Sequence, residues 1–251
     1  MSIRLAGFDM AWRPERNGSG FAVGQLDGDT LVLESVRVAQ NTIAQWTQVI
    51  AQESLFGIAI DAPLIIHNPF GQRPCEAELN KVFRSAKAGC HPSNLSLYPD
   101  AASVTLGIKL LQQGFTHLAQ DQKFMLECYP HPSMVRLFDW SERLLYKRGS
   151  VELRKQGQVK LADAIVSLEQ ASLVFHIPES KAQCLQHDFI MSLRGHAVKQ
   201  NEDALDALIC LYIAALFATG AEGYTFGETD TGYVWVPMNG AGNRAQFDSS
   251  V

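Results

Sequence analysis

The stretch that decides the fold is IRLAGFDMAWRPERNGSGFAVGQLDGDTLVLESVRVA, residues 3–39, which contains three consecutive strand patterns. The first pattern is a buried apolar run that ends near Asp9. The second and third patterns alternate between apolar and polar positions on either side of DGD, a sequence typical of a hairpin turn. We therefore predict an antiparallel meander of three strands.

The segments that follow predict an α/β fold with a mixed sheet. NTIAQWTQVIAQE (41–53) has helical spacing, with Asn41 or Thr42 as its cap, and FGIAID (56–61) is a short buried strand. A helix between two strands implies a right-handed crossover and parallel pairing. KFMLECYPHP (123–132) is a third buried strand, which its prolines interrupt.

Four further segments complete the predicted architecture. RPCEAELNKVFRS (73–85) is a helix with a proline in its first turn, and residues 133–200 indicate a mostly helical insertion. EDALDALICLYIAALFATG (202–220) is an apolar and therefore buried helix, with Asn201 as its cap. GYTFGETDTGYVWVP (223–237) predicts a C-terminal pair of strands.

The composition indicates one globular domain over residues 1–251. The chain is 47% apolar, lacks a linker-like segment, and contains no apolar run of the roughly 18 residues that span a bilayer. The N-terminus lacks a secretory signal pattern, and the five cysteines have no paired spacing, which favours free thiols. These features predict a cytoplasmic protein without a membrane partner.

The charge distribution offers few candidates for binding a phosphate. The net charge is −5, whereas non-specific binding of nucleic acid requires a cationic surface. Residues 141–161 carry six lysines and arginines against two glutamates. This segment is either a solvated helix face or a phosphate-contacting patch, with Lys147 and Arg148 as candidates. Arg73, at a helix start, either contacts an anionic substrate or pairs with Glu76.

Five carboxylates occupy positions that suit a cation site: Asp9, Asp61, Glu127, Asp203 and Asp206. The first three end apolar strands, and the C-terminal ends of parallel strands meet at one edge of a sheet, where ligands bind. Carboxylates at one place repel each other unless a cation neutralises them, and hard cations prefer oxygen ligands. We therefore predict a Mg²⁺ or Mn²⁺ site. The simpler interpretation is a turn for Asp9 and Asp61 and an ion pair for Glu127.

The two helix aspartates differ in how strongly they indicate a metal ligand. Asp203 and Asp206 are three residues apart and share a helix face. Asp203 falls in the predicted first turn, where the helix dipole alone favours an anion. Asp206 is followed on its face by apolar residues, so we expect it to point inward, where a carboxylate needs a cation or hydrogen bonds. We therefore favour Asp206, with Asp9 and Asp61, as a ligand.

Six short blocks, GFDMAW, AIDAPL, RPCEAEL, LECYPH, EDALDAL and YVWVP, resemble in order and spacing the predicted ribonuclease H-fold nucleases, a family catalogued as a domain of unknown function. The last helix also looks like the acidic helix of Holliday-junction resolvases. The resemblance implies a ribonuclease H-like mixed five-stranded sheet flanked by helices, with a helical insertion and a C-terminal β-hairpin. It also implies a two-metal site in which Asp9 is the first-strand acid, Asp61 the fourth-strand acid, and Asp203 and Asp206 the helix acids.

The chain departs from the classical ribonuclease H enzymes in its first helix. Those enzymes carry an acid on that helix, whereas here only Glu53 lies at its far end. This departure favours a resolvase-like arrangement, or a family whose site has drifted. Glu127 matches an E-x-Y-P block of the resembled family, whose role the resemblance leaves open.

Together these observations predict a metal-dependent nuclease that hydrolyses phosphodiester bonds of DNA or RNA with Mg²⁺ or Mn²⁺. The catalytic candidates are Asp9, Asp61, Glu127, Asp203 and Asp206, and the phosphate-binding candidates are Arg73, Lys147 and Arg148. A homodimer is compatible with the sequence. Two alternatives stay open. One is a nucleotide-binding or phosphotransferase-like relative within the ribonuclease H and actin-like fold, with RNGSGFAVG (16–24) as its phosphate loop. The other is a non-catalytic binding module.

Overall fold

A mixed seven-stranded sheet forms the centre of the molecule. The structure is a computed structural model that describes residues 2–238, so the ends of the predicted domain, residue 1 and residues 239–251, lie outside the described part. The strands are β1 (Ile3–Asp9), β2 (Ser19–Asp27), β3 (Thr30–Ala39), β4 (Gly57–Ile60), β5 (Thr116–His117), β6 (Phe124–Glu127) and β7 (Val174–His176). Their order across the sheet is β5-β6-β4-β1-β2-β3-β7, with β1 at the centre.

Seven helices and a hairpin surround this sheet in the described part of the chain. The helices are α1 (Ile43–Gln52), α2 (Pro74–Phe83), α3 (Ala102–Gln112), α4 (Pro130–Leu137), α5 (Val151–Ser167), α6 (His187–Ser192) and α7 (His196–Ala218). The C-terminal hairpin pairs β8 (Gly223–Glu228) with β9 (Gly232–Pro237) as a separate sheet, as predicted.

Local signals in the sequence account for most helix boundaries. Thr42 and Gln45 form a reciprocal capping box at the start of α1, and Pro74 opens α2. Gly220, just past α7, has a φ of +72°, a left-handed conformation that favours glycine. These boundaries confirm the predicted caps of the first helix and the predicted proline of the second.

The pairing of the strands follows the predicted pattern and adds one strand at each edge. β1, β2 and β3 form the antiparallel meander, and β1, β4 and β6 pair in parallel. The expected count of five strands is wrong, because β5 extends one edge and β7 the other. These two strands have only two and three residues, too few for a period of two to be recognised. The predicted helical insertion thus also supplies a strand, β7, which pairs with β3.

Helix α7 packs directly on the centre of the sheet. Its residues 201–215 are all buried. Glycines on β1 and β2 allow the backbones to touch: a Cβ at Gly7 would lie 2.0 Å from the amide nitrogen of Leu211, and one at Gly20 would lie 2.0 Å from the carbonyl oxygen of Asp203. This contact fixes the position of the helix relative to the ends of the central strands.

Within residues 2–238, none of the helices combines the length and the apolar character that crossing a membrane requires.

Candidate active site

Asp9 and Asp61 lie together at the C-terminal ends of two neighbouring parallel strands. Asp9 is the last residue of β1, and Asp61 directly follows β4. The backbone N–H of Asp61 donates to the carbonyl oxygen of Phe8 at 2.8 Å, which extends the pairing to the ends of both strands. Both aspartates line a cleft of about 560 Å³. The structure thus brings them together at one edge of the sheet, as the strand pattern predicts.

Asp203 reaches the same cleft from helix α7. The helix begins at His196, so the predicted cap at Asn201 is wrong, and Asp203 lies about two turns after the first helical residue. The helix dipole acts mainly within the first turn and therefore does not explain this aspartate. Asn201 instead donates from inside the helix to Gln158 and to the carbonyl oxygen of Cys184.

Asp206 is completely buried, as its apolar neighbours on the helix predict. The hydroxyl of Tyr146 donates a 2.5 Å hydrogen bond to its Oδ1. The ammonium of Lys147 lies 2.7 Å from its Oδ2, an ion pair whose angles fall outside those of a hydrogen bond. The carboxylate is therefore held from both sides by residues of the loop between α4 and α5.

Two lysines supply positive charge beside the aspartates. Lys147 pairs with Asp206, and Lys199 forms ion pairs with Asp203 and with Glu202 on the same helix. The side chains of Lys147 and Lys199 are 29% and 50% exposed, so part of each side chain contacts solvent while its ammonium group faces the aspartates.

Burial and, to a smaller extent, mutual repulsion raise the pKa values of Asp9, Asp61 and Asp203. Burial raises the pKa of Asp9 well above its ordinary value, and the charge of Asp206 raises it further. Burial likewise raises the pKa of Asp61 to about 7, although Lys147 lowers it. Burial also raises the pKa of Asp203, against the opposing effect of Lys199. Burial is thus the main cause of the raised pKa values of Asp9, Asp61 and Asp203.

Glu127 belongs to a different group of charges. Its carboxylate accepts two hydrogen bonds from Arg73, at 2.6 and 3.0 Å, and one from the backbone N–H of Leu64 at 2.9 Å. Arg73 also donates from Nε to Glu76 at 2.9 Å. All three charged side chains are at most 3% exposed. The ion pair that the sequence offered as the simpler interpretation of Glu127 is therefore present, and it is buried.

Arg73 has little capacity left for a substrate. A guanidinium has five N–H donors, and four donate here: one to Glu76, one to the carbonyl oxygen of Ile65 and two to Glu127. Arg73 lines the cleft, but at most one N–H remains to contact an anionic ligand there. The arrangement supports a structural role for Arg73.

The basic segment 141–161 is divided among several environments. Lys147 enters the acidic cluster, and Arg148 is exposed. Arg154 pairs with Glu202, and Lys155 is buried with its ammonium donating to the carbonyl oxygen of Met191. The segment therefore does not form one continuous phosphate-contacting face.

Several residues of the site were missed by sequence reasoning. Tyr146 is among them, and its hydroxyl donates a hydrogen bond to Asp206. Lys199 lies four residues before Asp203, a spacing that predicts a helical ion pair once the true start of α7 is known. Trp12 and Tyr98 line the cleft and stack with ring centroids 4.0 Å apart. They are distant in sequence, so no local pattern indicates that they meet.

The carboxylate oxygens of the four aspartates suit a hard cation, but Lys147 and Lys199 form ion pairs with two of these carboxylates. Carboxylate oxygens are the ligands that Mg²⁺ and Mn²⁺ prefer. As the side chains stand, no group of three or more His, Cys, Asp and Glu residues within residues 2–238 could hold a metal ion. Asp206 and Asp203 face Lys147 and Lys199 instead. A cation would therefore bind here in exchange for these ammonium groups.

The sequence model of one protein family covers most of this arrangement. It matches residues 7–231, a range that contains the three aspartates of the cleft, the buried Asp206 beside them and the network around Arg73. The chain belongs to the family described as "Protein of unknown function (DUF429)". The mixed α/β sheet of this DUF429 chain is compatible with a ribonuclease H-like arrangement. No curated protein and no solved structure matches the chain significantly.

Proposed function

We propose that the protein is a divalent-metal-dependent hydrolase of phosphodiester bonds in nucleic acid. The observation that supports this most is the convergence of four aspartates, Asp9, Asp61, Asp203 and Asp206, at the ends of the two central parallel strands. With all four carboxylates ionised, as a bound cation would favour, and with two lysines, the cluster has a formal charge of −2. One divalent cation would neutralise it, and a second would make it attractive to a polyanion.

The residues have distinct roles in this proposal. Asp9, Asp61 and Asp206 hold the cation, and Asp203 assists from the adjacent helical turn. When bound, Mg²⁺ or Mn²⁺ supplies a Lewis acid and an activated water. Tyr146 orients the carboxylate of Asp206 through its hydrogen bond, as groups behind a metal ligand commonly do.

Lys147 changes partner in this proposal. Displaced from Asp206 by the cation, its ammonium would turn toward a substrate phosphate, because the partly exposed side chain lines the cleft. Lysine binds phosphate as a point charge and needs no fixed orientation to do so. The same residue thus stabilises the cation-free cluster and the bound substrate.

The rim of the cleft favours nucleic acid as the substrate class. Trp12 is 45% exposed and stacks on Tyr98 beside the aspartates. Exposed aromatic faces next to a catalytic cleft are suited to stacking on unpaired bases, whatever their sequence.

Cleavage assays with matched variants test the proposal. Wild-type protein with Mn²⁺ is expected to cleave at least one member of a panel of single-stranded, duplex and branched DNA and RNA. Asp9→Asn and Asp206→Asn are expected to lose more than about 100-fold, because even groups behind a ligand contribute 10–100-fold. Asp121→Asn, an exposed aspartate outside the cleft, is the control.

Two further measurements make the result specific. Calorimetric titration with Mn²⁺ should show binding to the wild type and to Asp121→Asn, and weakened binding to Asp9→Asn. Melting temperatures of all variants establish that they are folded. If both cleft variants cleave as fast as the wild type, the assignment of the aspartates is wrong.

One observation favours the nucleotide-binding alternative. Asn17 and Gly18, from the glycine-containing loop between β1 and β2, line the same cleft as the aspartates. Stabilisation of the protein by ATP with Mg²⁺, but not by oligonucleotides, in a thermal-shift assay would support this alternative over a nuclease. The absence of any Mn²⁺ binding would instead support a non-catalytic binding module.

A further inference from the structure

A second cavity of about 190 Å³ adjoins the acidic cleft. His91, Tyr129 and Lys147 line both spaces, so a molecule in the cleft can extend into the cavity. The other polar residues of the cavity wall include His131, Arg143 and Arg148. No carboxylate belongs to the wall. The cavity is therefore basic, in contrast to the cleft beside it.

The two arginines of the cavity have no compensating partner in the described part of the chain. The ion pairs formed within residues 2–238 include none to Arg143 or Arg148. Most other arginines near buried groups are paired, for example Arg73 with Glu127 and Arg154 with Glu202. Uncompensated cations around a concave space attract an anion.

Two polar atoms of this wall are buried without a hydrogen-bond partner. They are Nδ1 of His131 and Nε of Arg143. Buried polar groups are nearly always paired, so each exception calls for an explanation such as an absent ligand. Burial, together with the charges of Lys147 and both arginines, lowers the pKa of His131 to about 3 against the opposing effect of Asp206, so its ring is neutral and can still donate one N–H. Arginine Nε is always a donor. Nε of Arg143 therefore lacks an acceptor, and Nδ1 of His131 lacks a partner in either tautomer.

The size of the cavity suits a phosphate group. A volume of about 190 Å³ corresponds to about six water molecules at roughly 30 Å³ each. It is below the roughly 300 Å³ at which pockets for drug-sized molecules begin. A tetrahedral oxyanion offers several acceptors at once, and arginine is the residue that matches phosphate geometry best.

We propose that this basic cavity, lined by His131, Arg143, Lys147 and Arg148, binds a phosphate group of the substrate while the adjacent bond lies in the acidic cleft. The inference rests on the proposed nuclease function for the identity of the substrate. The phosphate is either a terminal phosphate or an internal one of the same strand. Its place beside the cleft gives the strand a fixed register relative to the aspartates.

Binding measured without metal tests the cavity independently of catalysis. The probes are inorganic phosphate, by calorimetry, and a short fluorescent oligonucleotide with a 5′-phosphate, a 3′-phosphate or no terminal phosphate, by anisotropy in EDTA. The variants are Arg143→Gln and Arg148→Gln. The control is Lys160→Gln, an exposed lysine of the same basic segment outside the cavity wall.

The expected result is a loss specific to the cavity. Each arginine variant should weaken binding of phosphate and of the oligonucleotide about tenfold or more, the equivalent of 1.4 kcal/mol. Lys160→Gln should change binding less than about twofold. A preference for one phosphorylated end identifies a terminal phosphate, and equal binding of all three oligonucleotides identifies an internal one. If both arginine variants bind every probe as the wild type does, the inference is wrong.

The outcomes for the cavity and for the nuclease proposal are separable. If Arg143→Gln weakens phosphate binding but Asp9→Asn cleaves normally, the phosphate cavity stands and the metal site fails. If Asp9→Asn abolishes cleavage while Arg143→Gln and Arg148→Gln bind and cleave as the wild type does, the nuclease stands and the cavity fails.

Discussion

Replacement of Arg73 by methionine is expected to destabilise the fold, and not merely to weaken contact with a substrate. The guanidinium is 2% exposed and donates four hydrogen bonds, three of them to carboxylates. Glu76 and Glu127 are 1% and 3% exposed, and within the described residues Arg73 is their only ion-pair partner. Methionine fills a similar volume but leaves both charges buried without a cation.

The structure allows the size of the effect to be worked out. Removal of one partner of a buried ion pair costs about 3–5 kcal/mol, because the remaining charge stays buried. Two carboxylates lose their partner here, which raises the cost. Hydrogen bonds from backbone N–H groups reduce this cost. Glu127 keeps the hydrogen bond from Leu64, and Glu76 keeps the hydrogen bonds from residue 73 and Ser93. We therefore expect a loss of about 4 kcal/mol, or about 8–16 °C in melting temperature.

Urea unfolding followed by tryptophan fluorescence measures this loss, since Trp46 is fully buried in the core. The control is Arg16→Met, an exposed arginine, which should stay within about 0.5 kcal/mol of the wild type. Arg73→Lys should recover only part of the stability, because an ammonium cannot reproduce the bidentate hydrogen bonds with Glu127. A free energy of unfolding within 1 kcal/mol of the wild type for Arg73→Met, together with lost cleavage, would refute the structural role.

Two further predictions concern the helix contact and the response to pH. Gly20→Ala places a Cβ 2.0 Å from the carbonyl oxygen of Asp203, so α7 must shift; we expect a loss of about 1–3 kcal/mol in urea unfolding and slower cleavage. Gly107→Ala, whose nearest contact is 3.3 Å away inside a helix, should be near neutral, and equal losses would contradict the argument. His131 has a pKa of about 3 when folded and about 6.5 when unfolded. The unfolded state therefore binds more protons between these values, and stability falls as the pH falls through them. Relative to His131→Phe, the wild type should lose up to about 1.4 kcal/mol per pH unit, and parallel stability curves would exclude this.

The sequence predicts those parts of the fold that depend on local signals. The meander, the capped first helix and the parallel strand ends at Asp9 and Asp61 all follow from patterns that lie within a few residues. The start of α7 was placed too late, because Asn201 precedes acidic residues and resembles a cap. The helix in fact begins after Gly195. This glycine has a φ of +54°, a left-handed conformation that separates α7 from the preceding segment. Such a conformation is not visible in residue types alone.

The parts of the site that could not be predicted depend on contacts between distant residues. Arg73 and Glu127 are 54 positions apart, so sequence reasoning weighed Arg73 against its neighbour Glu76 as a surface pair. The insertion of Lys147 beside Asp206 likewise depends on how a loop folds over a buried helix. Spacing indicates which side chains share a face of one element, but not which loop covers that face.

The two groups of charges on this cleft differ in a way that separates structure from function. In the group around Arg73, every carboxylate accepts several hydrogen bonds from fixed, buried donors, as expected of charges that hold a fold together. In the aspartate group, burial raises the pKa of Asp61 to about 7, although the charge of Lys147 opposes this shift. Carboxylates with pKa values raised in this way are common at sites that bind a charged partner. Asp206 shares features of both groups, because it is buried and has two partners, Tyr146 and Lys147. The side chain of Lys147 is 29% exposed, so it has room to move away from Asp206. In the proposed cation site the ion pair at Asp206 would be exchanged for the metal, whereas the buried hydrogen bonds of Glu127 would stay in place.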